Sequence, residues 1–252
     1  MKHKILLLLF LFSLIGCASY RKVPLTGCDH PSGWCKEIRD LAAHSWKYAQ
    51  LSKNVYNKPF SYNVDDYFEK LQSFEETAIS FYAVLYRDKI TNEFVLVFRG
   101  TDSATDFRTG NNPFSQKQNL YGLQIYDQVM TQYHPEKICV VGHSLGGAIA
   151  INISLNRENV KAYSFNGSPV FKNKLNFNNT RYSIVEYGEI LKLPRIFGSE
   201  ATQEYTSIGC SKGDPITQHD MQSLATCLTR IATNQDPEAV KSLEKNKIPL
   251  ED

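Results

Sequence analysis

The chain has 252 residues, 42% hydrophobic, 12% aromatic and 21% charged, which suits one globular domain with a full core and excludes disordered, collagen-like and multi-span membrane classes. Its formal charge of +2 falls to neutrality once Lys2 and Lys4 are set aside, leaving 26 basic and 26 acidic groups. With no block of like charge to neutralise a phosphate backbone, no nucleic-acid partner is expected, and partners should be small, neutral or apolar.

Residues 1–16 have the two lysines and the apolar run Ile5–Ile15 of a secretory signal. The run is too short for a permanent span, which needs about 20 apolar residues. Leu14-Ile15-Gly16-Cys17 resembles the bacterial lipobox, which implies that Cys17 carries the lipid and becomes the mature N-terminus. Acyl chains contribute about 0.8 kcal/mol per buried CH₂, so several on one residue hold a protein at a membrane. Ala18 follows in place of the aspartate of an inner-membrane retention signal. The expected location is therefore the cell envelope, at the outer membrane facing the periplasm.

Cys28, Cys35, Cys139, Cys210 and Cys227 remain, and an odd count in an oxidising compartment leaves at least one unpaired. Cys139 lies in the apolar run Ile138–Val141 and reads as a buried small hydrophobe. Local proximity favours Cys28–Cys35 and Cys210–Cys227, although four cysteines allow three connectivities. Six residues between Cys28 and Cys35 exceed the usual zinc spacing. With no H-E-x-x-H and no paired C-x-x-C, no metal is expected.

Residues 17–35, punctuated by Pro24, Gly27, Pro31 and Gly33, read as a tether ending in a small cysteine loop. Across 36–55, Leu41, Ala42, Ser45, Trp46, Ala49 and Val55 recur at near-helical spacing, with His44 on a face of that helix. Strands are expected at Ile79–Arg87, Phe94–Phe98, Ile138–Gly142, Val160–Asn166 and Tyr182–Tyr187, and helices at Gln118–Tyr133 and Leu145–Asn156. Strands alternating with helices imply an α/β fold with a mostly parallel central sheet flanked by helices. The domain is expected over 36–234, with an asparagine-rich loop at Asn173–Asn179. A charged tail over 235–252 should hold a short helix and a frayed end.

The chemistry concentrates after the strand at Ile138. Gly142-His143-Ser144-Leu145-Gly146 is a G-x-S-x-G turn between a strand and a helix, the pattern of a nucleophile elbow that pushes Ser144 out at a helix N-terminus. Hydroxyl attack needs a base, which in this class follows the nucleophile in the chain. Of the six histidines only His219 lies after Ser144; His143 reads as structural. For the acid the choices are Glu158, Glu186, Glu189, Glu200, Glu204 and Asp214, since residues 145–213 contain no aspartate. Glu189, just past the strand end, is preferred. Glu186 could point from the strand into solvent, and Asp214 is the fallback, only five residues from His219. An oxyanion hole needs two amide donors. Leu145 follows the nucleophile, and Thr101 follows the strand Phe94–Phe98 at the Gly100 turn.

Phe98-Arg99-Gly100-Thr101, Gly142–Gly147, Ser164-Phe165-Asn166-Gly167-Ser168-Pro169 and Glu189-Ile190-Leu191 resemble, in order, the signature segments of the class 3 lipases, an α/β-hydrolase family. The likeness spans about residues 80–230. It implies Ser144 as nucleophile, Glu189 where the family usually has aspartate, His219 as base, Thr101 and Leu145 as oxyanion donors, and no cofactor. It further implies cleavage of carboxylic esters of acylglycerols or phospholipids through an acyl-enzyme. Asp102–Asn119 occupies the place of the family's covering helix. Phe107, Phe114 and Leu120 could line such a lid, while Gly110, Asn111, Asn112 and Pro113 suit a polar loop equally. The expected function is that of a membrane-anchored serine hydrolase of lipid esters, phospholipid preferred, with the membrane itself a partner through the anchor. The alternative is a non-catalytic envelope-binding lipoprotein on a hydrolase fold. The complete set of elbow glycines, serine and histidine separates the two.

Overall fold

A computed structural model describes residues 32–56, 58–100, 116–169, 179–192, 195 and 204–250. Its centre is a seven-stranded sheet in sequential order, β1 (Phe68–Glu76), β2 (Phe81–Asp88), β3 (Phe94–Phe98), β4 (Ile138–His143), β5 (Val160–Phe165), β6 (Arg181–Glu186) and β7 (Glu204–Ile208). The first three strands pair antiparallel, and β3 to β7 pair in parallel. The longer helices among the described residues are α1 (Lys36–Asn54), α2 (Gln116–Tyr133), α3 (Leu145–Asn156), α4 (Met221–Ala232) and α5 (Pro237–Lys245).

Strand periodicity explains the two layers. Val95, Val97, Cys139 and Val141 face the core shared with α1 and α4, whereas Leu96, Phe98, Ile138 and Val140 face the one shared with α2 and α3. Covered on both faces, β3 and β4 are buried along their whole length, as parallel strands inside α/β folds are. The helix α3 is buried from Leu145 to Leu155 and is correspondingly apolar on all sides.

Two strands escape the expected set, and both are edges. Only Phe68 and Phe74 are buried in β1, and a bulge between Lys70 and Gln72 breaks its alternation. In β7 only Ile208 is buried. Charged, irregular edges of this kind prevent pairing with other chains. The short helix expected beyond 235 is present, and it packs against the domain. The α5 helix buries Ala239, Ser242 and Leu243. Gln50 donates to Ser242 Oγ at 2.9 Å and Trp46 Nε1 to its N-cap Asp236 at 2.9 Å, while Ile248 packs on the core. The charges that suggest a tail lie on the outer face of an amphipathic helix.

Cys210 and Cys227 are bonded, and Cys139 is free and buried. Cys35 is also in a disulfide; Cys28 and Cys17 lie outside the described residues.

Candidate active site

The elbow follows from close backbone approach. Strand β4 ends at His143 and α3 begins at Leu145, so Ser144 alone makes the turn, at φ 56 and ψ −124. Such a conformation is costly for a residue with a Cβ and persists where its surroundings impose it. Here they do. A Cβ on Gly142 would come within 2.2 Å of the Gly146 carbonyl, and one on Gly146 within 2.2 Å of the Phe98 oxygen. The Ser144 amide donates to Phe165 at 3.0 Å, and its carbonyl accepts from the Ser168 amide at 2.9 Å. The next amide, that of Leu145, is the first of α3 and belongs to the group with no intrahelical acceptor.

His219 closes the one-turn 3₁₀ helix Thr217–His219, just before α4. Its Nδ1 is 2.7 Å from Glu189 Oε2. Glu189 is almost wholly buried. Its Oε2 also accepts from the Leu191 amide at 2.9 Å, and its Oε1 pairs with Arg195 Nη1. Burial pushes this carboxyl up, but the hydrogen bond to His219, the Arg195 charge and the Leu191 amide outweigh it, so Glu189 titrates below the usual carboxylate range.

His143 brings the histidine loop to the elbow. Its ring lies 4.7 Å from the ring of His219, centroid to centroid, and Nε2 is 2.9 Å from the His219 carbonyl. Facing a carbonyl, Nε2 must donate, so Nδ1 accepts from the Tyr56 hydroxyl at 2.8 Å. The Tyr56 oxygen in turn accepts from the Gly100 amide at 3.1 Å. Burial, followed by the charge of His219, holds His143 well below the usual histidine range, consistent with this neutral tautomer.

The other candidate acids have separate tasks. Glu186, far from pointing into solvent, is buried and accepts from the Cys210 and Ser211 amides at 2.7 and 2.8 Å. Burial raises its carboxyl despite those donors. Asp214 accepts from the Ile216 and Thr217 amides at the surface. Glu204 is exposed at the start of β7, Glu158 is exposed after α3, and Glu200 lies outside the described residues. Thr101 also lies outside them, as do Phe107, Phe114 and most of the segment weighed as a lid; Leu120 is exposed on α2.

Sequence reasoning passed over Tyr56 and Arg195. Tyr56 offers no local pattern. For Arg195 the one available signal is a guanidinium set in the apolar run Leu193-Pro194-Arg195-Ile196-Phe197.

The profile of the Tle-like phospholipase domain, described as phospholipase-like, matches residues 47–185, more than half of the chain. Among solved structures, the chain resembles the Lip2 lipase of Yarrowia lipolytica (TM-score 0.51, 18% identity, covering 73% of this chain and 83% of that one). It also resembles the triacylglyceride lipase of Rhizomucor miehei (0.52, 21%, 69% and 80%). A third likeness is to a triacylglycerol lipase whose catalytic centre is described as a serine protease triad (0.50, 21%, 69% and 80%). At these identities the likeness establishes the fold, an α/β-hydrolase fold of the lipase kind.

Proposed function

The chain belongs to the Tle-like phospholipase domain family, and from that premise we propose that it is an envelope-anchored serine hydrolase that cleaves phospholipid esters through an acyl-enzyme. Lipid-ester hydrolysis follows from the family; the finer reading rests on the site. One observation carries it: the buried Glu189 carboxylate hydrogen-bonds His219, and His143 ties that histidine's backbone to the elbow of Ser144.

In this reading, His219 takes the Ser144 proton through Nε2, the ring nitrogen opposite the one held by Glu189, as the serine attacks the ester carbonyl. Glu189 fixes the ring and stabilises the imidazolium. The tetrahedral oxyanion accepts from the Leu145 amide and from Thr101, and its collapse expels the alcohol with the proton from His219. Water, activated by the same histidine, then releases the fatty acid. An acyl anchor on Cys17 would hold the enzyme at its substrate's surface, on the periplasmic side of the outer membrane, where the local lipid concentration is high. That geography favours phospholipid over acylglycerol.

The test uses the chain without residues 1–17, its fatty-acid release measured on phospholipid and acylglycerol vesicles beside Ser144→Ala and His219→Ala. Release from phospholipid that collapses in both variants is expected. No release from either lipid would overturn the reading and favour a binding lipoprotein. Radiolabelled fatty acid should enter the full chain but not Cys17→Ser; equal labelling would remove the anchor.

A further inference from the structure

One buried charge has no part in the mechanism above. Arg195 is 5% exposed. A guanidinium leaves water only at high cost unless its partners compensate, and here they are specific. Nη1 donates to Glu189 Oε1, and Nε donates to the Gly167 carbonyl at 2.7 Å. Glu189 Oε2 is held separately, by His219 and by the Leu191 amide. Both carboxylate oxygens are thus engaged. Gly167 immediately precedes Ser168, whose amide donates to the carbonyl of Ser144. One side chain therefore joins the acid to the loop beneath the elbow.

We propose that Arg195 is a positioning residue for the hydrolysis, fixing the Glu189 carboxylate so that Oε2 faces His219 and locking the acid to the nucleophile's supporting loop. The inference rests on Glu189 serving as the triad acid. Arg195 touches no reacting atom; it acts through Glu189. A glutamate has one rotatable bond more than an aspartate, and a second partner on Oε1 removes the added freedom. Around the Glu189–His219 pair stand the charged Arg195, the buried carboxyl of Glu186 and the neutral imidazole of His143. Removing the positive one favours protonation of its neighbours, so the acid limb of kcat/KM moves to higher pH.

The experiment compares Arg195→Met, Arg195→Lys and Glu189→Gln in the full chain on a soluble p-nitrophenyl ester, with active sites counted by fluorophosphonate. In Arg195→Met, kcat per active site should fall roughly 10- to 100-fold, with KM little changed and the acid limb moved up. Arg195→Lys keeps the charge without the fork, and should restore the limb while recovering only part of kcat. Wild-type kcat and pH profile per active site in Arg195→Met overturn the inference, whatever its stability. Should that variant fail to fold, wild-type kcat in Arg195→Lys does the same. Undiminished kcat in Glu189→Gln removes the acid assignment, a result distinct from failure at Arg195.

Discussion

Nδ1 of His219 lies 2.7 Å from Oε2 of Glu189, thirty residues earlier in the chain. Neither the β6 carboxylate Glu186 nor the nearer Asp214 reaches that position, because Glu186 holds the Cys210 and Ser211 amides and Asp214 caps a turn. Glu189→Gln should therefore cost up to about 10⁴ in kcat, the loss expected when a triad acid becomes an amide. Glu189→Asp should retain part of the rate, and Asp214→Ala should leave kcat unchanged. Steady-state kinetics on all three variants checks the assignment.

Gly142 and Gly146 are fixed by contact distance. A methyl group at either meets backbone at 2.2 Å, and backbone cannot swing aside as a flexible side chain can. Gly146→Ala should destabilise by about 1–3 kcal/mol, the usual range for overpacking, and should abolish activity by displacing Ser144. Urea unfolding and an ester assay on the same preparation check both effects.

Stability should fall with acidity below pH 6.5. The unfolded chain protonates His143 near its ordinary value of 6.5, while the buried folded imidazole stays neutral to much lower pH. Between those limits the unfolded state holds the extra proton, so stability is lost as pH falls, by at most about 1.4 kcal/mol per unit for one group. His44, also lowered by burial, adds to the slope. Denaturation midpoints between pH 5 and 7 should show a shallower slope in His143→Gln than in the wild type.

The Cys210–Cys227 bond spans 17 residues that include His219. A closed loop of this size contributes about 3 kcal/mol in the chain-entropy account. Reduction, or the double change Cys210→Ser and Cys227→Ser, should lower the melting temperature and, by loosening the base's loop, lower kcat. Melting and activity with and without dithiothreitol test this together.

What could be read from the sequence was what is local. The elbow is contiguous, from the apolar strand through Ser144 to the small residues of α3, and His219 follows from chain order alone. The acid was harder, because Glu186 and Glu189 stand three residues apart at one strand end and only the fold decides which faces the imidazole. β1 was hidden by its charges and by the bulge at Lys70 and Gln72, which breaks the alternation on which strand recognition depends. Tyr56 acts at long range on His143 and Gly100, and Arg195 joins Glu189, six residues before it, to the distant Gly167; no spacing in the chain encodes such pairings. Within the charged segment 235–252 the short helix was legible but its docking was not, because an amphipathic helix shows its charges in the sequence and the burial of its Leu243 only in the packing.

The most direct test of the central claim is the reaction of the intact chain with a fluorophosphonate, the adduct located by peptide mass spectrometry and its rate of formation measured. One adduct is expected, on Ser144, its formation slowed by phospholipid and reduced roughly 10²–10⁴-fold in His219→Ala, the range for loss of a general base. An unmodified Ser144, or labelling of Ser144 at the same rate without His219, would contradict the claim.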